Sequence, residues 1–549
     1  MNSITRYFFL IPLLLLSISG LSQKKNKRVN HPNILFIMVD DLNDYEGVFG
    51  GNPQAKTPNI DRLAQSGLRF LNAESNVPVC QPSRNSLFTG VYPHASRDFG
   101  WTPHFKQAIL KNHKTFIELF EENGYSTFGS GKLLHKNVDS YWSEWGVPEA
   151  INYGPNASDG IKNISHPSVQ EPFRSINSVD GSFASLSDMP MIPDGAGGLK
   201  QSSWTYGKKA FKYVNDKDRD LMPDEMHAQW IATKIKTLEE GNSIQPFFMG
   251  VGFVKPHTPL YAPQKYFDLF PLESIQLPVI LKDDIKDTFY KTVYPPSEMG
   301  LLYYQKLKES YPDDEGLKKF LQAYLACIAF VDDQIGVVLD ALDKSKFRDN
   351  TIVILTSDHG WQMGQKEYLY KNSPWEESTR IPFIVRAPGI TKPGSTVLHP
   401  VSLIDIYPTL VDLCSLRGNY TTQKSKSSLG GYSLKYFLKN STSKRWKGPN
   451  GALTVMGVGI NQPIEGIGVS VNKDALWHIE IVKDLDSTYV MQQNYSYRTE
   501  LWRYIRYHNG TEELYNHKTD VHEWYNLAEN PKYSKILKRL NMEMLEIIN

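Results

Sequence analysis

The sequence predicts an α/β fold: a large, mostly parallel sheet sandwiched by helices, followed by a smaller C-terminal subdomain with an antiparallel sheet. Short apolar runs, bounded by polar residues or by Gly and Pro, alternate with helical patterns along most of the chain. Runs that are apolar throughout are typical of parallel strands buried on both faces. After about residue 450 the pattern changes to alternating, aromatic-containing segments, which favour the antiparallel subdomain.

Four apolar runs are the candidate strands of the large sheet: residues 33–39, 125–128, 247–254 and 351–356. Ionisable side chains follow them, namely Asp40 and Asp41, Lys132, His257, and Asp358 and His359. Ligands of open α/β sheets bind outside the carboxyl ends of the strands. We therefore expect these strand ends to converge on one site.

Helical patterns at 114–123 and 323–342 lie between the strands, and both Cys327 and Cys414 fall in apolar surroundings that predict core positions. Segments 475–482 and 502–507 predict strands of the C-terminal sheet, and a terminal helix is expected from about residue 532. Residues 151–223 are rich in Ser, Gly, Asp and Asn with weak periodicity, which predicts a long, loop-rich insertion.

Composition excludes several classes of protein. The chain has 549 residues, of which 40% are hydrophobic and 22% charged, which argues against a disordered, collagen-like or multi-span membrane protein. Lys and Arg total 60 against 59 for Asp and Glu, so no nucleic-acid partner is expected. Three cysteines cannot build a disulfide framework in a chain of this length.

The first 22 residues predict a secretory signal peptide. Arg6 precedes an apolar run at 8–16, and small residues suited to a cleavage site follow. The alternative, a membrane anchor, needs roughly 20 apolar residues, and this run is shorter. We expect a secreted or periplasmic protein without a stable membrane anchor.

Two pairs at the strand ends, Asp40 with Asp41 and Asp358 with His359, would together offer oxygen-rich ligands to one hard divalent cation. Each pair alone is weak evidence for a metal site, because acids at strand ends are common as helix N-caps or solvated charges. A third segment, residues 80–90, begins with Cys80. Pro82 suits the first turn of a helix and Gly90 its end, so Cys80 is predicted at a helix N-terminus, where a thiolate would be activated. The alternative is a buried cysteine beside a short capped helix.

Residues 80–90 read Cys-x-Pro-Ser-Arg followed by Leu-x-Thr-Gly, without a gap. This signature resembles that of the formylglycine-dependent sulfatases of the alkaline-phosphatase-like superfamily. The order of the groups most resembles the iduronate-2-sulfatase-like branch: Asp40-Asp41, Cys80, Lys132 with His135, Lys255-Pro256-His257, Asp358-His359 and Lys371. The resemblance implies a catalytic domain over 30–445, carrying the insertion at about 151–223, and a C-terminal subdomain over 446–549.

The resemblance also implies a role for each motif residue. A formylglycine-generating or radical maturation enzyme would oxidise Cys80 to formylglycine, whose hydrate is the nucleophile, and Arg84 would hold that group. His257 would protonate the leaving alcohol, and His135 would take a proton from the second hydroxyl. Lys132 and Lys371 would neutralise the sulfate. One divalent cation, Ca²⁺ in most of the family, would be bound by Asp40, Asp41, Cys80, Asp358 and His359.

The resulting hypothesis is an exported sulfuric ester hydrolase that removes O-sulfate from a sulfated carbohydrate. Candidates for the substrate rim are Trp361, His104, Trp101 and Arg97. Two alternatives stay open: a phosphonate or phosphate monoester hydrolase of the same superfamily, and a non-catalytic carbohydrate-binding homologue with an unconverted Cys80. Gly364 is followed by Gln365-Lys366 rather than the frequent Glu-His of the family, which weakens any finer substrate assignment.

Overall fold

The computed structural model describes residues 31–107, 109–148, 153–207, 209–241, 244–293, 298–422, 428–457, 488–491 and 493–549. Pro32–Asn549 form one compact unit. The predicted signal peptide and the predicted strand at 475–482 lie outside the described residues. In the described part of the chain, no helix is both long and apolar enough to cross a membrane.

Eight strands form the large sheet: β1 (Asn33–Val39), β2 (Leu68–Phe70), β3 (Ser126–Gly131), β4 (Glu144–Trp145), β5 (Phe247–Phe253), β6 (Thr351–Ser357), β7 (Phe383–Arg386) and β8 (Ser395–Val397). Their order across the sheet is β8-β2-β7-β6-β1-β5-β3-β4. Five of the seven strand pairs are parallel, and the two that involve β7 are antiparallel. The predicted mostly parallel sheet is confirmed.

The central strand β1 explains why the strand ends meet. All seven of its residues are buried, and it pairs in parallel with both β5 and β6. Val39, its last residue, lies opposite Phe253 on one side and Ser357 on the other. The chain therefore leaves three adjacent strands at the same level, directly before Asp40, Val254 and Asp358.

The third strand is longer than predicted. It continues through Gly129 and Gly131, which pair with β5, instead of ending at residue 128. A Cβ atom on Gly129 would lie 2.6 Å from the Trp145 ring, so only glycine permits this close approach. Gly131 has a φ of 82°, a left-handed conformation that turns the chain toward Lys132. These glycines belong to the strand because sheet pairing outweighs their weak strand propensity.

Helices cover both faces of the sheet. The longer ones are α1 (Pro58–Ser66), α2 (Cys80–Thr89), α3 (Phe116–Glu122), α4 (Pro223–Glu240), α5 (Met299–Ser310), α6 (Glu315–Lys344), α7 (Ile406–Cys414) and α8 (Ser534–Ile548). Shorter helices lie at Pro93–Ser96, Gln264–Phe267, Tyr290–Val293, Glu376–Thr379, Lys435–Lys439 and Thr488–Met491. Alternate residues of β1 enter two separate cores, one with α1, α4 and α6 and the other with α2, α3 and α7.

Two helices differ in their start from the helical patterns in the sequence. Helix α3, predicted over 114–123, begins at Phe116, because Thr115 and Glu118 form a capping box at its N-terminus. The second, α6, starts at Glu315 rather than 323, because Leu317 and Phe320 extend the buried stripe by two turns. Cys327, within α6, and Cys414 are both buried, as expected of core residues.

The insertion contains more regular structure than expected. Its short strands lie at Asn156–Ser158, Phe183–Ser185, Met191–Pro193, Leu199–Gln201, Ser203–Tyr206, Lys209–Phe211, Tyr213–Asn215 and Asp218–Arg219. One of them, Phe183–Ser185, pairs in parallel with Leu260–Ala262, the segment that follows His257. The insertion is therefore anchored beside one of the strand ends that carry the predicted site.

The C-terminal sheet is antiparallel, as predicted, and consists of β9 (Gly451–Met456), β10 (Asn494–Thr499), β11 (Trp502–Arg506) and β12 (Glu512–Asn516). A second three-stranded sheet joins Ala73–Glu74, Arg380–Ile381 and Val401–Ser402. The terminal helix α8 begins at Ser534, after a 3₁₀ turn at Pro531–Tyr533.

Buried charges join the C-terminal sheet to the rest of the protein. Arg503 of β11 forms ion pairs with Glu74, Glu376 and Glu523. Glu376, Glu523 and His517 also place one ligand atom each within 4.8 Å of one another. Because Arg503 and Arg498 both pair with Glu376, and Arg503 also pairs with Glu523, this group is a structural ion-pair network.

Candidate active site

The predicted convergence of the strand ends is confirmed in the described structure. Asp40 and Asp41 after β1, Lys132 after β3, His257 after β5, and Asp358 and His359 after β6 surround the first residue of α2, Cys80. Lys371, from the loop after β6, completes the group.

Cys80 is held among charged and polar side chains. Its Sγ lies 3.0 Å from Lys371 Nζ, 3.2 Å from His359 Nε2 and 3.7 Å from Asp41 Oδ1. Burial raises the pKa of the thiol, although Lys371 and Lys132 act in the opposite direction. The prediction of an activated thiolate is therefore wrong, because the start of α2 lies inside the protein, where desolvation outweighs nearby positive charge. A neutral thiol is a poor nucleophile.

Arg84, one turn further along α2, organises the carboxylates. Its side chain is fully buried, with Nη2 2.7 Å from Asp40 Oδ1 and Nε 2.9 Å from Asp358 Oδ2. Burial would lower the pKa of the guanidinium, but Asp358 and Asp40 raise it above its usual value. Arg84 also donates to the Leu133 carbonyl at 2.8 Å. It thereby connects β1, β3 and β6; its contact with the modified residue 80 stays a prediction.

The two adjacent acids differ in their charge balance. Burial raises the pKa of Asp40, but Lys132 and Arg84 overcome this effect and hold that pKa well below its usual value. Burial also raises the pKa of Asp41, and Lys371 alone among the lysines opposes it strongly, so the pKa of Asp41 lies well above its usual value. Without a bound cation, the positive charge around Asp41 is therefore too small to offset the effect of burial on its pKa.

The donor set fits a divalent cation. Ligand atoms of Asp41, Cys80, Asp358 and His359 all lie within 4.8 Å of one another. His359 Nδ1 lies 3.1 Å from the Gly360 carbonyl, so that nitrogen carries the proton and the Nε2 lone pair faces Asp41 Oδ1 at 3.4 Å. Histidines that bind metals are oriented by such a second hydrogen bond. A divalent cation held by these carboxylates and the imidazole would supply the positive charge that Asp41 lacks.

The two other histidines of the site are neutral. His257 Nδ1 lies 2.5 Å from the Thr258 carbonyl and Nε2 lies 3.9 Å from Asp41 Oδ2. Burial, then Lys371 and Lys132, hold the pKa of His257 well below its usual value. Burial and Lys132 also lower the pKa of His135. A negatively charged ester beside the two lysines would offset their effect on His257.

The substrate-rim predictions meet different outcomes. Trp361 is 2% exposed and packs against Phe320 and Tyr370, and His104 is also 2% exposed and contacts the Tyr141 hydroxyl at 2.9 Å. Neither lies on a rim, because both aromatic rings fill the protein interior; direct substrate contact for either stays a prediction.

Trp101 and Arg97 have more open positions. Trp101 is half-buried, with its ring 5.2 Å from that of His135. Arg97 lines a separate cavity with Gly90 and Lys447, at the opposite end of α2 from Cys80. Of these two rim candidates, the structure brings only Trp101 to the site.

Several supporting residues were not predicted from the sequence. The Ser75 and Ser83 hydroxyls donate to the Asp358 carbonyl at 2.6 and 2.7 Å. Asp224 of α4 accepts hydrogen bonds from the backbone of Val254 and Lys255, both at 2.9 Å. Ser83 lies inside the 80–90 motif and was detectable there, whereas Ser75 and Asp224 come from segments without any motif.

A buried histidine beside the site predicts a pH dependence of stability. His227 Nδ1 lies 2.9 Å from Ser130 Oγ, and burial lowers its pKa to about 3. Between roughly pH 6.5 and pH 3 the unfolded chain binds a proton at this residue and the native protein does not, so the free energy of unfolding falls as the pH falls. We expect His227→Gln to reduce that slope by about 1.4 kcal/mol per pH unit, measured by urea unfolding. The exposed His522→Gln is the control, and an equal slope in both variants would contradict the assignment.

The sequence and structure can now be compared with known proteins. The Sulfatase family model matches residues 32–416. A sulfatase from Formosa agariphila is 32% identical over 545 residues, covering 98% of this chain and 91% of that protein. Iduronate 2-sulfatase from Mus musculus is 30% identical over 423 residues, covering 71% of this chain and 70% of that protein.

Solved structures share the fold. The phosphonate monoester hydrolase of Agrobacterium radiobacter superimposes with a TM-score of 0.65 at 20% identity, covering 94% of this chain and 95% of that one. A protein solved with its substrate D-glucosamine-2-N,6-O-disulfate gives a TM-score of 0.62 at 21% identity, covering 94% and 97%. The alkaline-phosphatase-like fold is confirmed, and the family match rests on the sequence relatives. The chain belongs to the sulfatase family and is a sulfuric ester hydrolase.

Proposed function

We propose that this protein is an exported sulfatase that removes O-sulfate from a sulfated carbohydrate, using Cys80 converted to formylglycine and one Ca²⁺ ion. The observation that carries the proposal is the position of Cys80, with Lys371, His359 and Asp41 around its Sγ. Conversion of Cys80 by a maturation enzyme is supported by the signature at 80–90, Cys-x-Pro-Ser-Arg followed by Leu-x-Thr-Gly. The carbohydrate assignment is supported by the relative named iduronate 2-sulfatase and by the glucosamine disulfate substrate of the structural neighbour.

Each charged residue has a task in this proposal. Lys132 and Lys371, now paired with Asp40 and Asp41, would bind the sulfate oxygens and stabilise the charge that develops on them. His257 Nε2 would carry the proton for the leaving oxygen, and His135 would accept a proton in the second half of the reaction. The cation, held by Asp40, Asp41, residue 80, Asp358 and His359, would polarise the sulfate oxygens and lower the pKa of the nucleophile.

A substrate panel tests the activity. Protein with converted Cys80, verified by peptide mass spectrometry, is incubated with sulfated glycosaminoglycan and algal oligosaccharides, 4-nitrophenyl sulfate, 4-nitrophenyl phosphate and a phenyl phosphonate ester. We expect sulfate release from at least one oligosaccharide and slower turnover of both phosphorus esters. Faster turnover of the phosphorus esters would favour a phosphonate or phosphate hydrolase. Converted protein that turns over none of these esters would contradict the proposal, and a thiol left unconverted by a host that converts such motifs would favour the non-catalytic carbohydrate-binding alternative.

Export has its own test. Expression of the full chain in a secreting host, followed by N-terminal sequencing of the mature protein, is expected to show removal of the first 22 residues. A mature protein that retains them would contradict the proposed signal peptide.

Metal binding is expected to stabilise the protein through Asp41. At a Ca²⁺ concentration a hundredfold above Kd, a site present only in the native protein adds about 2.7 kcal/mol to the free energy of unfolding. Asp41→Asn should abolish this gain, and it should also lower the stability of the metal-free protein, because it leaves the buried Lys371 ammonium without its carboxylate partner. Thermal and urea unfolding with and without Ca²⁺ measure both effects.

The alternative acidic group supplies the control for this measurement. His517→Gln alters the group of Glu376, His517 and Glu523, in which Arg503 and Arg498 already pair with the glutamates, and should keep the full Ca²⁺ effect. If the stabilisation by Ca²⁺ persisted in Asp41→Asn and disappeared in His517→Gln, the ion would bind at the group of Glu376, His517 and Glu523, which would contradict this proposal.

A further inference from the structure

Tyr153, from the inserted segment, contacts two residues of the site. Its ring centroid lies 4.8 Å from Lys132 Nζ and 5.2 Å from the His257 ring, at an interplanar angle of 71°. Lys132 follows β3 and His257 follows β5, and these strands are parallel neighbours. One aromatic side chain from outside the sulfatase motif therefore contacts both strand ends.

The two contacts complement each other. An ammonium group is attracted to the face of an aromatic ring, so Lys132, which also pairs with Asp40, anchors the phenol. Edge-to-face contact with His257 is a favourable arrangement of two rings. The imidazole is held at its other side by the hydrogen bond of Nδ1 to the Thr258 carbonyl. Together the backbone bond and the Tyr153 ring determine the plane of the imidazole and the direction of Nε2.

The inserted segment is also tied to the loop that carries His257. Asp180 Oδ1 accepts a hydrogen bond from the Thr258 hydroxyl at 2.7 Å, and Asp180 Oδ2 accepts one from the Tyr303 hydroxyl at 2.9 Å. The parallel pairing of Phe183–Ser185 with Leu260–Ala262 continues this attachment. Segment and loop therefore form one packed unit, in which the tyrosine has a defined position relative to the histidine.

We propose that Tyr153 is a positioning residue, anchored on Lys132, that orients the His257 imidazole toward the leaving oxygen of the ester. The inference rests on the proposed sulfatase function. When the ester binds, its negative charge offsets Lys132 and Lys371, so His257 takes up a proton from solvent at Nε2 while Nδ1–H stays bonded to the Thr258 carbonyl. As the ester S–O bond breaks and the attacking oxygen takes its place on sulfur, the bond's electron pair goes to the leaving oxygen, which takes this proton from Nε2. An alkoxide leaving group needs this proton, whereas 4-nitrophenolate leaves readily without it.

The experiment compares two esters on the converted, Ca²⁺-loaded enzyme: a sulfated sugar and 4-nitrophenyl sulfate. Tyr153→Leu should lower kcat for the sugar ester by about tenfold or more and kcat for 4-nitrophenyl sulfate by less than about threefold. His257→Ala should show the same dependence on the leaving group. The double variant should be no slower on the sugar ester than His257→Ala, because both changes remove the same proton transfer.

Tyr153→Phe and Tyr213→Leu are the matched controls. Tyr153→Phe keeps the ring that contacts His257 and loses only the hydroxyl's interaction with Lys132, so its kcat on the sugar ester should fall clearly less than that of Tyr153→Leu. Tyr213, elsewhere in the insertion, bonds Asp216 at 2.6 Å, and its replacement by Leu should leave both rates unchanged. An equal loss on both esters in Tyr153→Leu, no loss on the sugar ester, or a loss in Tyr153→Phe as large as in Tyr153→Leu would overturn the inference. Wild-type enzyme that hydrolyses neither ester would instead reject the proposed function.

Discussion

Replacing Cys80 by alanine is expected to lower sulfate release by at least about a thousandfold, because the variant has no side chain to convert into the nucleophile. The protein should still fold. The thiol is neutral in the native structure, so its removal leaves Lys371 paired with Asp41 and costs only the contacts of one sulfur atom. Sulfate release on the best ester of the panel and urea unfolding measure the two effects separately.

Cys327→Ala and Cys414→Ala are matched controls for that prediction. Both cysteines are as buried as Cys80 and lie away from the strand ends, on α6 and at the end of α7. Each variant should lose a similar amount of stability and keep its turnover per folded molecule. Cys80→Ala protein that keeps its rate within about tenfold of the wild type would show that residue 80 is not the nucleophile.

Replacing Arg84 by methionine is expected to lower the free energy of unfolding by about 3–5 kcal/mol, the usual cost of breaking a buried ion pair by removing one partner. The change leaves Asp358 without its guanidinium and Asp40 with Lys132 alone, in a region that water does not reach. Arg84→Lys keeps the positive charge, but an ammonium group cannot contact both carboxylates as the guanidinium does. We therefore expect it to lower the free energy of unfolding by less than Arg84→Met. Urea unfolding at neutral pH measures both.

An exposed arginine provides the comparison. Arg62 pairs with Asp340 at 2.8 Å while its side chain is 42% exposed, and exposed ion pairs contribute at most about 1 kcal/mol. Arg62→Met should therefore unfold at nearly the wild-type urea concentration. If Arg84→Met did so as well, Arg84 would not be what holds the carboxylates together.

The sequence predicts which residues form the site better than it predicts how deeply they are buried. The pattern at 80–90, together with the strand ends, was sufficient to predict the fold, the family and the residues that converge. Burial was not predictable in the same way. A helix N-terminus normally stabilises a thiolate, yet the pKa of Cys80 is raised, because desolvation depends on segments distant in the chain. For the same reason Trp361 and His104 are in the interior rather than on a rim.

The sequence alone determined the parallel α/β fold, the antiparallel C-terminal sheet and the sulfatase motif, because each depends on local periodicity or on contiguous residues. Tertiary structure decided the rest. The register that places Val39 beside Phe253 and Ser357 brings the strand ends to one level, and the folding of the insertion brings Tyr153 onto His257. Such contacts join residues about a hundred or more positions apart, and their energies depend on burial and orientation, which no local pattern contains.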